Sequence, residues 1–218
     1  MSARFDLIVF DWDGTLMDST AAIVRAIQSA CRDLGLPEPD DTRARHVIGL
    51  GLIEALQYAA PDLPARDYQK IAERYSHHYF AASKELALFP GIADLLAWLR
   101  REDRLLAVAT GKSRIGLDRV LNQSGLGPLF HATRCADECF SKPHPAMLEE
   151  LMAELGATPE KTLMIGDTTH DLQMAKNAGT AGVGVGFGAH PLAALRAETP
   201  QACVETPEEL AAWLKANA

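Results

Sequence analysis

The chain has 218 residues, 48% hydrophobic and 23% charged, with a formal net charge of −8. That length suits one domain with an insertion or two small domains, and the acidic balance speaks against nucleic acid, whose binding needs clustered basic residues. No apolar run approaches the ~18 residues of a membrane span, and Met1–Phe5 carries no signal-peptide pattern; the expectation is a cytoplasmic protein, monomer or homodimer, with no nucleic-acid and no membrane partner.

In chain order, Leu7-Ile8-Val9-Phe10 is a short apolar run stopped by Asp11, the pattern of a strand buried on both faces. Helical patterns follow at Ala21–Leu34, Gly51–Ala59 and Ala65–Ala82, with Pro37, Pro39, Pro61 and Pro64 marking the turns between them. A helix is expected at Ile92–Arg101, then a strand at Leu105–Ala109 that ends at Thr110-Gly111. After a helix at Arg114–Gln123, a short strand around His131–Arg134 precedes a helix at Ala146–Leu155. A strand at Thr162–Ile165 then ends at Gly166-Asp167, with a helix at Asp171–Ala178 and a Gly-rich strand at Gly182–Val185 after it. Glycines at 125, 156 and 179 sit where helices stop.

Strands alternating with helices imply a parallel sheet covered on both faces. Roughly ninety residues separate the first strand from the next clear one, where a whole crossover unit takes about 30. The predicted fold is therefore α/β: a Rossmann-like, doubly wound parallel sheet core with an inserted α-helical cap domain. The core spans 1–15 and 89–218 and the cap spans 16–88.

Ligands in such a sheet sit beyond the carboxyl ends of the strands. Asp11, Thr110 and Asp167 fall at such ends, and Lys142 follows the short strand near residue 131. Asp11 and Asp13 are two acids two positions apart, which is costly unless a cation sits between them, and Gly14 allows a sharp turn. A carboxylate approaching a phosphate dianion at ~4 Å and an effective dielectric of ~20 meets roughly 4 kcal/mol of repulsion per charge pair, about a thousandfold in rate. A magnesium ion shared by carboxylates and phosphate offsets that repulsion. Lys142 supplies a further cation, Thr110 a hydroxyl, and Asp167 and Asp171 further ligands. The plainer alternatives are a helix cap for Thr110, a solvated loop lysine for Lys142 and a first-turn helix acid for Asp171.

Four ordered segments carry a family resemblance: Asp11-x-Asp13-Gly14-Thr15, Val108-Ala109-Thr110-Gly111-Lys112, Ser141-Lys142-Pro143-x-Pro145 and Gly166-Asp167-x-x-x-Asp171. Together they resemble the motifs of haloacid-dehalogenase-like phosphatases, and the Asp13-Gly14-Thr15-Leu16-x-Asp18-Ser19 opening is similar to the branch containing phosphoglycolate phosphatases. The resemblance implies Mg²⁺ as cofactor, held by Asp11, the backbone carbonyl of Asp13, Asp167 and Asp171, the last directly or through water. It implies Asp11 as nucleophile forming an aspartyl-phosphate, Asp13 as acid/base, and Thr110, Gly111 and Lys142 as phosphate ligands. The implied substrate is a small phosphorylated metabolite: phosphoglycolate, or a sugar or amino-sugar phosphate.

Asp13 speaks against dehalogenation, whose enzymes lack that second acid. Ile23 stands near where the sugar-phosphate mutases of the superfamily carry a cap histidine, which speaks against mutase activity. Pyrophosphate hydrolysis and phosphomutase activity stay as alternatives within the superfamily, and from another class so does a phospho-accepting signalling domain, although receiver domains are about half as long and lack a cap. Asp18 and Ser19 read mainly as caps of the first inserted helix. His170 reads as a variable position that could face the site mouth. Arg43, Arg45 and the Ile48–Gly51 turn resemble the substrate-facing cap loop, with Arg45 either touching a substrate carboxylate or solvating its helix. The four cysteines are irregularly spaced and expected to stay reduced, and no second pair accompanies Cys135 and Cys139 to complete a zinc site.

Overall fold

The computed structural model describes residues 4–218; the first three residues of the span 1–15 lie outside it. Six parallel strands form one sheet in the order β3-β2-β1-β4-β5-β6. They are β1 (Leu7–Phe10), β2 (Leu105–Thr110), β3 (Ala132–Cys135), β4 (Thr162–Gly166), β5 (Ala181–Val185) and β6 (Ala202–Val204). The chain starts in the middle, steps outward one way through β2 and β3, then returns past β1 to β4, β5 and β6. The order therefore reverses beside β1, the switch point where open sheets of this kind leave a crevice.

Alternation along the strands builds a core on each face. Ile8 and Phe10 join Leu106, Val108, Leu163 and Ile165 on one face. Leu7 and Val9 join Ala107, Ala109 and Met164 on the other. α5 (Ile92–Arg101), α6 (Arg114–Ser124) and α10 (Pro207–Asn217) cover the first face. α7 (Ala146–Leu155) and α8 (Thr169–Asn177) cover the second. All four β1 side chains are fully buried, each contributing roughly 1.5–3 kcal/mol of transfer free energy.

Between β1 and β5, the expected strands and the α5 and α7 helices appear within a residue of the reading. α8 begins two residues earlier than the sequence pattern suggests, because Thr168 and Asp171 form a reciprocal capping box. β6, α9 (Leu192–Ala197) and α10 lie beyond the last predicted element. Between β1 and β2 come α1 (Thr20–Asp33), α2 (Asp41–His46), α3 (Leu52–Ala59) and α4 (Tyr68–Ala82). α2 had no counterpart in the periodicity, since of its residues Asp-Thr-Arg-Ala-Arg-His only Ala44 is buried. These helices close around their own apolar cluster, which includes Ile23, Ile27, Leu56 and Ile71. The two segments linking them to the sheet pair with each other: Asp18 N donates to Ala87 O at 3.0 Å and Phe89 N to Leu16 O at 3.0 Å. Among the described residues no helix is long and apolar enough to cross a membrane.

Candidate active site

The sheet brings the sequence-predicted residues to one rim. Asp11 leaves β1, Thr110 closes β2, Asp167 follows β4, Lys142 lies in the loop after β3, and Asp171 sits in the first turn of α8. All five are buried, with relative exposures of 0–1%. The ammonium of Lys142 lies 2.8 Å from Asp11 Oδ1 and 2.7 Å from Asp171 Oδ1. Asp11, Asp167 and Asp171 each offer a carboxylate oxygen within 4.8 Å of the others. Asp167 accepts hydrogen bonds from Thr15 Oγ1 at 2.9 Å and from the Ala189 amide at 2.7 Å. Asp171 Oδ2 accepts from the Thr168 amide and hydroxyl at 3.0 and 2.7 Å, so its helix-capping role coexists with its ion pair to Lys142.

Three buried carboxylates thus face one buried ammonium, an excess of two negative charges if all were ionised. Burial pushes Asp11 up to about 7, against the attraction of Lys142 and with the help of Asp171. Burial, then Asp11 and Asp171, likewise lift Asp167 well above the usual carboxylate range. Burial works to lower Lys142, but Asp11 and Asp171 outweigh it and hold the ammonium charged. Asp11 Oδ2 is buried with neither a hydrogen bond nor an ion pair. Two glycines admit this crowding. A Cβ on Gly14, whose φ is +79°, would strike the Asp167 carboxylate, and one on Gly188 would strike Asp167 and the Gly14 carbonyl.

The Asp13 carboxylate turns away from this cluster. It accepts from Ser19 Oγ at 2.7 Å and Tyr79 OH at 3.3 Å, and pairs with Lys112 Nζ at 2.9 Å. Ser19 stands at the helix N-cap but makes no capping bond; the capping role expected for it is corrected to one on Asp13, whose nearby charge is the stronger acceptor. Lys112 also donates to Tyr79 OH at 2.9 Å. Burial, and then Asp13, keep the Tyr79 phenol protonated well beyond its usual range. Tyr79 was missed by sequence reasoning and Lys112 went without a role, since residues 13, 79 and 112 share no local pattern.

A cavity of about 320 Å³ opens above Asp11, Asp13, Thr110 and Gly111, roofed by α1, α3, α4 and the Ile48–Leu50 turn. That turn presses on the sheet rim. A Cβ on Gly111 would strike the Gly49 and Leu50 carbonyls, and the Gly51 amide donates to Ser141 Oγ at 2.9 Å. Arg45 is not among the lining residues, and Arg43 donates to the Tyr58 carbonyl at 2.8 and 3.0 Å. His170, rather than facing the mouth, is buried and donates from Nε2 to the His46 carbonyl at 2.8 Å, tying α8 to α2.

The model of one family, haloacid dehalogenase-like hydrolase, matches residues 8–185. The chain belongs to that family. Among similar proteins, "Probable phosphatase IndB" of Dickeya dadantii is 40% identical over 94% of this chain and 91% of its own length. The phosphoglycolate phosphatase of Pseudomonas putida is 32% identical over 91% of this chain and 76% of its own, and a 5'-nucleotidase of Pseudomonas aeruginosa is 31% identical over 90% of each. A crystal structure described as a "predicted phosphoglycolate phosphatase" from Haemophilus somnus superposes with a TM-score of 0.86 and 26% identity over the whole of both chains. Within the family this hydrolase stands on the phosphatase branch, that of phosphoric monoester hydrolases.

Proposed function

We propose that the protein is a Mg²⁺-dependent phosphatase that hydrolyses a small phosphate monoester through an aspartyl-phosphate on Asp11, with residues 16–88 acting as a cap over the core. The observation that carries this reading is the cluster of three buried carboxylates, Asp11, Asp167 and Asp171, against one ammonium, with Asp11 opening onto the floor of the cavity. A donor set of oxygens with that charge suits a hard divalent cation, and the unpartnered Asp11 Oδ2 leaves a ligand position open. Asp11, Asp167 and the Asp13 carbonyl would hold the ion, with Asp171 beside them. When bound it supplies positive charge that offsets the repulsion between phosphate and carboxylates.

The other steps belong to the chain's own groups. An Asp11 carboxylate oxygen forms a bond to phosphorus as the bond from phosphorus to the ester oxygen breaks, and Asp13 gives its proton to the departing alkoxide. Asp13 then takes a proton from a water that attacks the phosphoryl group, releasing inorganic phosphate and the Asp11 carboxylate. Lys142, the Thr110 hydroxyl and the Gly111 amide meet the phosphoryl oxygens. Ser19, Tyr79 and Lys112 hold Asp13 facing the leaving group.

The test is phosphate release from a panel of monoesters. Mg²⁺ should support turnover, a chelator should silence it, and Asp11→Asn should stay folded by circular dichroism while falling below about 1% of the wild-type rate. Full activity in excess chelator, or a faster Asp11→Asn variant, would overturn the reading.

A further inference from the structure

The cavity over Asp11 is sharply divided by chemistry. Its floor holds Asp11, Asp13, Thr110 and Lys112, whereas the residues that α1, α3 and α4 contribute are apolar, aromatic or hydroxyl-bearing. Ile23, Ile27, Leu52, Leu56 and Tyr75 form its upper wall. Tyr75 and Tyr79 stack on each other at 5.7 Å with their planes 11° apart, and both line the space. Among the described lining residues two are cationic, and both are engaged. Lys112 is held by Asp13 and Tyr79, and the Arg119 guanidinium lies 4.4 Å from the centre of the Phe80 ring. Among the described residues of the cap, none that lines the space is cationic.

Resting on the phosphatase reading above, we infer that the leaving alcohol carries an apolar, ring-sized group, an arylalkyl or heteroarylalkyl, in place of glycolate or a bare sugar. A glycolate carboxylate turned toward the cap would meet the apolar wall, where the described lining residues of the cap offer no cation, and burying an unpaired carboxylate is strongly unfavourable. A sugar turned toward the cap would set several hydroxyls against a wall whose described polar side chains are the hydroxyls of Tyr75, Ser76, Tyr79 and Ser83. Size points the same way. At about 30 Å³ per water, 320 Å³ exceeds what a two-carbon acid fills and reaches the lower bound of ordinary small-molecule sites. An aromatic ring entering this wall buries enough apolar area for about a hundredfold gain in binding.

The experiment compares kcat/KM of the wild-type protein for 2-naphthylmethyl phosphate, benzyl phosphate, ethyl phosphate, 2-phosphoglycolate and glucose 6-phosphate. All are esters of aliphatic alcohols, so leaving-group reactivity differs little across the set. The ring esters should exceed ethyl phosphate and phosphoglycolate by roughly 30- to 100-fold, mainly through KM. Ile115→Arg, at a rim position 74% exposed, should lower the ratio of naphthylmethyl phosphate to phosphoglycolate turnover about tenfold or more. In parallel, calorimetry on the Asp11→Asn variant should find 2-naphthylmethylphosphonate bound more tightly than phosphonoacetate, with a negative heat-capacity change. Turnover in which phosphoglycolate or glucose 6-phosphate equals or beats the ring esters would overturn the inference and leave the phosphatase reading standing. Tight binding of the ring phosphonate with no phosphate released from any ester would overturn the phosphatase reading and sustain the ring site. Neither binding nor turnover would overturn both.

Discussion

The rim of the sheet and the helical cap are built on opposite electrostatic plans. At the rim, Asp11, Lys142, Asp167 and Asp171 are ionisable groups with no exposure above 1%, spaced so closely that moving one disturbs the rest. Among the described residues of the cap, the ion pairs lie on the outer surface, as in Arg32–Glu38 and His78–Asp33, and the side chains turned to the cavity are apolar, aromatic or hydroxyl-bearing. A reaction that moves charge needs fixed, desolvated charges around it. Choice of a leaving group needs only a wall of suitable shape and polarity. The contrast teaches that one half of the cavity can be altered for specificity while the other keeps the chemistry.

The largest expected effect comes from breaking the rim. Lys142→Met removes the buried ammonium between the Asp11 and Asp171 carboxylates and leaves them facing each other, at a cost of about 3–5 kcal/mol. For a chain of this size that corresponds to a melting temperature lower by roughly 10 °C. Scanning calorimetry reads the first effect, and phosphate release should fall by about three orders of magnitude. A variant that melts like the wild type would mean that the rim charges are compensated in some other way.

An intermediate effect is expected where the two plans meet. Tyr79 belongs to α4, yet its hydroxyl donates to Asp13 and accepts from Lys112. Tyr79→Phe removes both hydrogen bonds to charged groups, each about 1.5–3 kcal/mol at most. Turnover of a minimal ester such as ethyl phosphate should slow by roughly tenfold, with the melting temperature lower by a few degrees. A loss confined to KM would assign Tyr79 to the wall alone and return the positioning of Asp13 to Ser19 and Lys112.

These contacts also mark the boundary of what could be read from the sequence. Asp11, Thr110 and Asp167 were legible because each closes a doubly buried apolar run, and strand ends in a parallel sheet converge by topology. The helical insertion was legible from its length and periodicity. The partners of Asp13 were hidden, because Tyr79 and Lys112 reach it from separate helical and loop segments, and Ser19 carried a strong local signal for a different role. α2 was hidden because a short, polar, surface helix shows no apolar stripe. The apolar wall was hidden for a related reason: which side of α1 and α4 faces the cavity depends on how those helices pack on each other. Arg45 shows the cost of that ambiguity, since a cation in a substrate-like loop lies outside the cavity lining.

The smallest effect is expected at the cap surface, and its smallness is what sharpens the comparison. His78 Nε2 lies 2.8 Å from Asp33 Oδ2, as short as the Lys142 pair, but the two side chains keep 30% and 36% of their exposure. The hydrogen bond from His78 holds Asp33 below its usual carboxylate range, with burial opposing. A lowered carboxylate contributes stability that is present above its unfolded value near 3.8 and disappears as pH falls through the folded value. Between pH 7 and 5, Asp33 therefore adds no slope to the stability curve. Solvent screens the pair throughout, and exposed pairs of this kind contribute little. His78→Gln should melt within about 1 °C of the wild type at physiological salt. Any small difference should shrink at higher salt and vanish below pH 3.8 as Asp33 takes up its proton. A drop of several degrees at neutral pH, insensitive to salt, would show that an exposed pair in the cap behaves like a buried pair at the rim. The division of the molecule into a charge-locked rim and a charge-indifferent cap would then fail.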